Sequence, residues 1–506
     1  MTSILVSCGE KKGVDNKKLT KIELWYVPSQ VEAAEPPENW FMYDKIRQTL
    51  GVNLVLRALP SDSAELDEVI QKAAKTNSLP DIFRTSHSLM VELAKQNKIA
   101  CIDKIYPLMP IRSRDIHTPE AIKASQIDGL SFALAYPTSN TNIPRNEGVL
   151  IRKDWLQNLQ LEVPRTTDEF FDVMVAFTKE DPDGNGKADT YGFGAFLERN
   201  AQEDGLGKRF APFFGAFGVV GTLNYAPDNP HLNIRDPRFY LALEYVKKMY
   251  TARIIDPDFL GYHKDDFRRA WKNGRFGIMR EQFAAYSLKS NYTPFDEKFP
   301  NGEWIVIDPP VGPRGESSVG LSTQAWNYLS ISRRSVEQGK LPVIANLLEW
   351  LYTSASENLL YGQLGLNYIY DTNGKISDKT PIPELSYTSV ESAPLLQMSW
   401  LVEHVNEDKM RERYPIWQRA NKTQMDPLAV LEEMQSKHWT VGFTFESMPK
   451  ALNDAYNQGL IDFLTGKRNL TKENFEAFIE SLDEKGLKEW EDKIISDARE
   501  NGLLPQ

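Results

Sequence analysis

The sharpest chemical pattern in this sequence is an acidic loop that reads Asp181-Pro-Asp-Gly-Asn-Gly-Lys-Ala-Asp189. Oxygen-bearing side chains stand where a calcium loop of the EF-hand type has its ligands, and a glycine stands where that loop turns tightly. The sequence therefore predicts a structural Ca²⁺ site. The expected ligands are the side chains of Asp181, Asp183, Asn185 and Asp189 and the main-chain carbonyl of Lys187.

The loop departs from an EF-hand at its twelfth position, where a bidentate glutamate is usual and this chain has Gly192. Residues 191–196 read as a strand, so no second helix follows, and Thr190 leaves one more ligand open. The alternative interpretation is a surface turn that is merely rich in Asp, Asn and Gly.

The start of the chain carries a second pattern, Leu5-Val-Ser-Cys8, which is similar to a bacterial lipobox. A polar stretch over residues 9–18 follows and suits a flexible tether. The residues before Cys8 lack the basic and apolar regions of a signal peptide. We expect Cys8 to be the lipidated residue that anchors an extracytoplasmic protein, and a chance cysteine at a chain end is the alternative.

Composition narrows the class of protein. A chain of 506 residues is too long for one core, which predicts two or more lobes. The formal net charge of -11 argues against nucleic acid as a partner, because phosphate binding needs a basic face. No apolar run reaches the roughly 18 residues that a membrane span needs, so we expect membrane contact only through the lipid anchor.

Strand-like and helix-like segments alternate near the start of the chain, over residues 21–27, 43–50, 52–57, 65–75 and 79–83. This alternation predicts a parallel α/β sheet. Ligands of such sheets bind at the carboxyl ends of the strands, a rule that places Trp25, Tyr26 and Arg84 near a site.

Several separate segments together resemble the family 1 extracellular solute-binding proteins. The segments are Leu79-Pro-Asp-Ile82, Gly148-Val-Leu-Ile-Arg-Lys-Asp-Trp-Leu156, Val163-Pro-Arg-Thr-Thr-Asp-Glu-Phe170, Ala270-Trp-Lys-Asn-Gly-Arg-Phe-Gly-Ile278 and Phe463-Leu-Thr-Gly-Lys467. With the acidic loop, the likeness is greatest to the large calcium-containing subgroup that binds alginate and glycosaminoglycan oligosaccharides.

The resemblance implies a two-lobed α/β fold of the type II periplasmic-binding class, with a ligand cleft between the lobes and a helical C-terminal portion. Residues 1–18 would form the lipobox and tether. The N-terminal lobe would hold 19–140 and 322–370, and the C-terminal lobe 141–321 and 371–506. It also implies a monomer that delivers its ligand to the permease subunits of an ABC importer.

Sugar sites stack aromatic rings on the apolar faces of the sugar and direct polar side chains at its hydroxyl groups. We therefore expect the ligand to contact residues at strand ends and crossovers, with core packing as the alternative for each aromatic. The candidates are Trp25, Tyr26, Arg84, Tyr136, Asn140, Arg280, Gln282, Trp326, Asn367, Tyr368, Trp400 and Glu403.

The sequence favours binding over catalysis. A glycosidase needs two carboxylates across a cleft, and no segment singles out such a pair. Motifs of serine hydrolases, zinc proteases and nucleotide-binding loops are absent from the sequence. We predict an oligosaccharide-binding component of a bacterial ABC importer and no enzyme, with a glycan-degrading or a peptide-binding lipoprotein as alternatives. Arg84, Arg145 and Arg280 favour an acidic or sulfated sugar, but a neutral one fits equally.

Overall fold

The computed structural model describes residues 19–30, 33–61, 63–117, 119–127, 129–137, 146–197, 206–224, 226, 228–322, 325–402, 411, 414–442, 448–500 and 504. Three residues that we singled out from the sequence, Cys8, Asn140 and Glu403, lie outside these ranges. The side chains of Tyr136 and Trp326 are also outside the description, although their backbones lie in strands.

The first part of the chain alternates strands and helices as predicted. Its elements are β1 (Thr20–Tyr26), α1 (Phe41–Leu50), β2 (Val52–Ala58), α2 (Ser63–Lys75), β3 (Ile82–Thr85), α3 (His87–Lys95), α4 (Pro110–Asp115), α5 (Pro119–Ala124), β4 (Gln126–Ile127), β5 (Leu130–Ser131) and β6 (Ala133–Pro137). Helix α1 ends at Gly51, whose left-handed φ of 64° suits glycine and closes the helix before β2 begins.

The middle of the chain builds the second lobe. Its elements are β7 (Glu147–Arg152), α6 (Lys153–Leu159), α7 (Thr167–Lys179), β8 (Tyr191–Phe193), α8 (Ala211–Gly215), β9 (Leu223–Asn224), β10 (His231–Leu232), α9 (Pro237–Thr251), α10 (Lys264–Lys272), β11 (Phe276–Gln282), α11 (Phe283–Ser287), α12 (Lys289–Lys298) and β12 (Trp304–Ile307). A capping box formed by Thr166 and Glu169 starts α7, the helix that precedes the acidic loop.

The chain then returns to the first sheet before it enters a helical C-terminal portion. These elements are β13 (Leu321–Ser322), β14 (Ala325–Ile331), α13 (Arg333–Glu337), α14 (Leu341–Thr353), α15 (Ser356–Tyr361), β15 (Ile369–Tyr370), β16 (Ile376–Ser377), β17 (Trp417–Gln418), β18 (Gln424–Met425), α16 (Pro427–Ser436), β19 (Thr440–Val441), α17 (Lys450–Thr465), α18 (Lys472–Asp483) and α19 (Leu487–Glu500). None of the helices in the described part of the chain has the length and apolar character needed to cross a bilayer.

Each lobe is built on its own sheet. The first has the strand order β2-β1-β3-β14-β6 and the second has the order β12-β7-β11-β8. Strands β1, β2 and β3 are parallel, as predicted, whereas β14 pairs antiparallel with both β3 and β6. In the second sheet only β8 and β11 are parallel. The predicted two-lobed α/β fold is confirmed, although its sheets are mixed rather than wholly parallel.

Helices cover both faces of the first sheet, and this buries the side chains on both sides of β1. The alternating residues Ile22, Leu24 and Tyr26 belong to one buried cluster, and Trp25 and Val27 belong to another. A strand that is covered on both faces buries both of its alternating sets of side chains. Strand β1 is therefore apolar along most of its length.

The segment before the C-terminal helices packs differently from the prediction. Leu396, Trp400 and Val402 lie in the same buried cluster as β1 and α14, so residues 383–402 extend the core of the first lobe. The sequence prediction places this segment in the second lobe, as part of 371–506. Helices α17 to α19 do pack there, and the other lobe boundaries stay predictions.

Candidate ligand-binding cleft and calcium loop

A cavity of about 380 Å³ lies between the two lobes, where the carboxyl ends of β1 and β2 face the start of α10. We call it the interlobe cavity. Its first-lobe walls are Pro28, residues 33–35, residues 58–61 and Glu65, and its second-lobe wall is residues 263–265. The position agrees with the rule that ligands of α/β sheets bind beyond the carboxyl ends of the strands.

One side-chain contact spans the mouth of the interlobe cavity, and it is an ion pair only when the histidine is protonated. Nδ1 of His263, at the start of α10, lies 3.0 Å from Oε1 of Glu65 in α2. The side chains keep 65% and 47% of their surface exposed, so solvent screens the pair and it contributes about 0–1 kcal/mol. A contact this weak joins the lobes without locking them together.

A wider groove of about 450 Å³ lies elsewhere, between α7 and α9 of the second lobe. Its aromatic wall is Phe171, and the ammonium of Lys248 sits 3.8 Å from the centre of that ring. The cation already occupies the ring face on which a sugar would stack, and both walls belong to one lobe. The interlobe cavity is therefore the better candidate site.

A buried carboxylate marks the edge of the second sheet that faces the first lobe. Glu147, the first residue of β7, is 5% exposed and lies 3.1 Å from Nη2 of Arg280 and 3.3 Å from Nζ of Lys208. Nε2 of Gln282 donates to it at 3.4 Å. Burial raises the pKa of the Glu147 carboxyl, but Lys208, Arg280 and Arg209 outweigh burial and hold that pKa well below its ordinary value.

A second buried carboxylate, Glu281, lies next to the first at the end of β11. It accepts from Nε of Arg268 at 3.2 Å and from the main-chain N–H of Gln282 at 2.7 Å, and Nη1 of Arg209 lies 3.5 Å away. Burial raises the pKa of Glu281, yet Arg268 and Arg209 lower it to about 2. Both carboxylates are therefore ionised at neutral pH.

Lys264, the first residue of α10, brings a further cation to the wall of the interlobe cavity. It is half-buried and makes no ion pair or hydrogen bond within the described part of the chain. Burial lowers the pKa of its ammonium to about 7; Arg268, Lys208 and Arg209 add to this, and Glu281 opposes it. The environment of Lys264 is thus dominated by positive charge.

The structure places two predicted ligand contacts, Trp25 and Tyr26, in the core. Trp25 is 5% exposed; its Nε1 donates to Oε1 of Glu23 at 2.8 Å, and the guanidinium of Arg57 lies 4.2 Å from its ring centre. Tyr26 is fully buried. The prediction that these rings face a ligand is wrong for this structure, because helices cover both faces of β1.

Three more of the predicted ligand contacts are buried inside the first lobe and do not line the interlobe cavity. Asn367 is 1% exposed and donates from Nδ2 to the carbonyl of Leu385 at 2.7 Å. Tyr368 is 3% exposed and its hydroxyl donates to Glu357 at 3.2 Å. Trp400 is 7% exposed within the same core. Their burial corrects the prediction that they contact the ligand.

The remaining candidates lie nearer the cleft. Arg280 and Gln282 lie at the end of β11, where their side chains engage Glu147. Arg84 is half-buried near the end of β3, and the backbones of Tyr136 and Trp326 pair in register across β6 and β14. A ligand-binding role for these residues stays a prediction, as it does for Asn140 and Glu403, which lie outside the described residues.

Sequence reasoning missed His263 and Glu65, which meet across the interlobe cavity, and Lys264, which lines it. Charged residues in the first turn of a helix are usually solvated, so nothing in the sequence distinguishes these. Glu147 did carry a signal, because it directly precedes residues 148–156, one of the segments that carry the family resemblance.

Hydrogen bonds within the acidic loop bring its carboxylates together. The carboxylate of Asp181 accepts from the main-chain N–H of Asn185 at 3.1 Å and of Gly186 at 2.9 Å. The carboxylates of Asp183 and Asp189 converge on Nδ2 of Asn185, at 2.8 and 3.2 Å. Burial raises the pKa of Asp183, and the neighbouring Asp181 and Asp189 raise it further. A cation among these carboxylates would relieve that repulsion.

The structure also explains why the twelfth position lacks its glutamate. A Cβ on Gly192 would lie 2.4–2.5 Å from Met174 of α7, so no side chain fits there. The hydroxyl of Thr190 donates to the carbonyl of Phe177 at 2.9 Å and is turned away from the loop. The donors that suit Ca²⁺ are therefore the five predicted residues together with water. Within the described residues, no three Asp, Glu, His or Cys side chains are already arranged around a metal position.

Comparisons with known proteins add to this geometry. No protein-family model matches the chain. The chain is 31% identical over 249 residues to the polygalacturonan/rhamnogalacturonan-binding protein YtcQ of Bacillus subtilis (strain 168), which covers 46% of this chain and 44% of that protein. It is 28% identical over 226 residues to lipoprotein LipO of the same organism, which covers 44% and 43%. The matches thus span less than half the length of these two relatives.

A longer match links the chain to the fructooligosaccharide ABC transporter substrate-binding protein FusA of Streptococcus pneumoniae serotype 4, at 28% identity over 353 residues, 63% of this chain and 60% of that protein. The structure of S. pneumoniae FusA with kestose superposes with a TM-score of 0.66 at 16% identity, over 96% of this chain and 99% of the other. Alginate-binding protein AlgQ2 without calcium ion superposes with a TM-score of 0.68 at 15% identity, over 95% and 98%.

The two lobes, their mixed sheets and the cavity between them define the fold of the two-domain solute-binding proteins. The resemblance to the family 1 extracellular solute-binding proteins that the sequence indicated is confirmed.

Proposed function

We propose that this chain is the extracytoplasmic solute-binding component of a bacterial ABC importer and that it delivers an oligosaccharide to the permease subunits. The observation that carries the proposal is the interlobe cavity at the carboxyl ends of β1 and β2. Its volume, about 380 Å³, falls within the range of about 300–1,000 Å³ that is typical of small-molecule sites. The names of YtcQ and FusA, both saccharide binders, support the class of ligand.

The mechanism follows from the two walls of the interlobe cavity. A ligand that contacts both lobes binds the closed arrangement more tightly than the open one, so it shifts the population towards closure. The exposed pair between His263 and Glu65 is weak enough to break and re-form during each cycle. The protein releases the ligand unchanged, and its relatives are binding proteins rather than enzymes.

The acidic loop, in this proposal, holds a structural Ca²⁺ through Asp181, Asp183, Asn185, the carbonyl of Lys187 and Asp189. The converging carboxylates and the raised pKa of Asp183 support it. Two solved structures of the same fold also support it: alginate-binding protein AlgQ2 without calcium ion, and an EF-hand mutant of FusA with fructo-nystose, which has a TM-score of 0.64 at 17% identity over 96% of this chain.

The anchor is a separate part of the proposal. Lipidation of Cys8 would hold the protein at the outer face of the cell membrane, and the relative LipO, a lipoprotein, supports this. We further propose that the protein works as a monomer and has no nucleic-acid partner, in keeping with its net charge of -11.

A thermal-shift screen against neutral oligosaccharides, acidic oligosaccharides and peptides tests the proposed function. We expect at least one oligosaccharide to raise the melting temperature, because a ligand that binds only the folded state stabilises it. The same mixtures are then assayed for new reducing ends. Stabilisation by peptides alone, or formation of new reducing ends at enzymatic rates, would replace importer binding with one of the two alternatives.

A further inference from the structure

Five basic side chains gather in the second lobe around the start of α10 and the end of β11, and one of them, Lys264, lines the interlobe cavity. They are Lys208, Arg209, Lys264, Arg268 and Arg280. We call this group the cationic wall. Two buried carboxylates, Glu147 and Glu281, lie among the five cations, so within the described residues the group carries an excess of positive charge. This local sign is opposite to the net charge of the chain, which is -11.

The two carboxylates are already shared among the other four cations. Glu147 pairs with Lys208 and Arg280, and Glu281 pairs with Arg268 and Arg209. Lys264 is the member that borders the interlobe cavity, and it has no ionic partner in the described part of the chain. Because the pKa of Lys264 is lowered to about 7, its side chain is only partly protonated at neutral pH, and an anion brought by a ligand would stabilise the charged form.

The first-lobe side of the interlobe cavity carries negative charge. Glu35 and Glu65, from the first lobe, are exposed at the mouth. Asp265 lies on the same second-lobe wall as Lys264 and adds one carboxylate there. Carboxylates accept hydrogen bonds from sugar hydroxyls and repel a carboxylate. A ligand that suits both sides therefore presents hydroxyls to the mouth and one negative group to Lys264.

From this asymmetry we infer that Lys264 is a specificity-determining residue that receives the carboxylate of a uronic-acid unit in the oligosaccharide. The inference rests on the proposed function, since it assigns a class of ligand to the same cleft. It adds a preference for acidic sugars and the residue that sets this preference.

Isothermal titration with three probes tests the inference: trigalacturonic acid, its fully methyl-esterified form and the neutral trisaccharide kestose. We expect wild-type protein to bind the acid at least about 10-fold more tightly than the ester, which corresponds to about 1.4 kcal/mol. Lys264→Gln should remove most of this preference and leave the ester within about 3-fold, and Lys264→Arg should keep it. Lys272→Gln, on the last turn of the same helix, makes the same change in charge away from the cavity and serves as the matched control.

The outcomes separate the inference from the proposed function. If kestose or the methyl ester binds as tightly as the acid, or if Lys264→Gln keeps the wild-type preference, the inference is overturned while importer binding stands. If none of the three probes binds, the inference is also overturned, and the proposed function falls only if the wider oligosaccharide screen fails too. Melting curves of each variant establish that it is folded before it is titrated.

Discussion

Replacement of Glu147 by glutamine removes a buried charge and keeps the shape of the side chain. The carboxylate faces two cations at 3.1 and 3.3 Å, of which Arg280 is 3% exposed and Lys208 is 29% exposed. Lys208 can turn towards solvent once its partner is neutral. Arg280 cannot, because its guanidinium is buried beside the carbonyl of Lys208 and the ring of Trp439.

The expected loss of stability follows from the one buried positive charge that Glu147→Gln leaves without its carboxylate. Breaking a buried ion pair by removing one partner costs about 3–5 kcal/mol. Because one of the two cations can escape to water, we expect the free energy of unfolding of the second lobe to fall by about 3 kcal/mol, the lower end of that range. Urea titration followed by far-ultraviolet circular dichroism measures the change.

A matched control is the exposed pair between Arg333 and Glu337, whose side chains keep 51% and 64% of their surface. Glu337→Gln should change the free energy of unfolding by less than about 0.5 kcal/mol. The double variant Glu147→Gln/Arg280→Gln should recover part of the loss, since it removes the stranded cation. If Glu147→Gln unfolds at the same urea concentration as Glu337→Gln, the reasoning about the buried charges is refuted.

Four further results are expected. A calcium chelator should lower the melting temperature of the wild type but not of Asp181→Asn, because only the former has a complete ligand set; identical wild-type curves with Ca²⁺ and with chelator would remove the calcium site. Gly192→Ala places a Cβ 2.4–2.5 Å from Met174 and should lower the free energy of unfolding, measured by urea titration, by about 1–3 kcal/mol. The control Gly261→Ala, whose Cβ would lie 3.8 Å from its nearest neighbour, should leave the free energy of unfolding almost unchanged. Thr166→Ala breaks the capping box of α7 and should cost about 1 kcal/mol by the same assay; no loss would show that the cap is dispensable. The pKa of Glu281 is lowered to about 2 in the folded protein, against about 4.3 in the unfolded chain. Its ionised carboxylate therefore stabilises the fold fully above about pH 4.3, and this stabilisation is lost as the pH falls towards 2. The urea midpoint should drop between pH 5 and pH 3, and an unchanged midpoint would contradict the lowered pKa.

The sequence predicted the elements whose patterns are local. Alternating strands and helices predicted β1, β2 and β3 and their parallel pairing, since the periodicity of each segment reflects its own burial. The acidic loop was equally visible, because the order of its oxygen donors within residues 181–189 matches the order in a calcium loop of the EF-hand type.

The candidate site was harder to predict, because it depends on which surfaces meet. Tyr26 and Trp25 stand at the end of a strand, as ligand contacts do, but helices bury both of them, α1 and α14 on one face and α2 and α3 on the other. Trp400 and Tyr368 are buried for the same reason. The sequence does not distinguish Lys264 from an ordinary exposed lysine, because only the fold places it on the wall of the interlobe cavity.

Small-angle X-ray scattering of the protein with and without a saturating oligosaccharide from the thermal-shift screen tests the central claim most directly. The claim is that the ligand binds between the lobes and draws them together. A ligand that contacts both residues 263–265 and residues 58–61 draws the two lobes together, so we predict a smaller radius of gyration in the saturated protein. A radius of gyration that stays the same at saturation would contradict binding between the lobes.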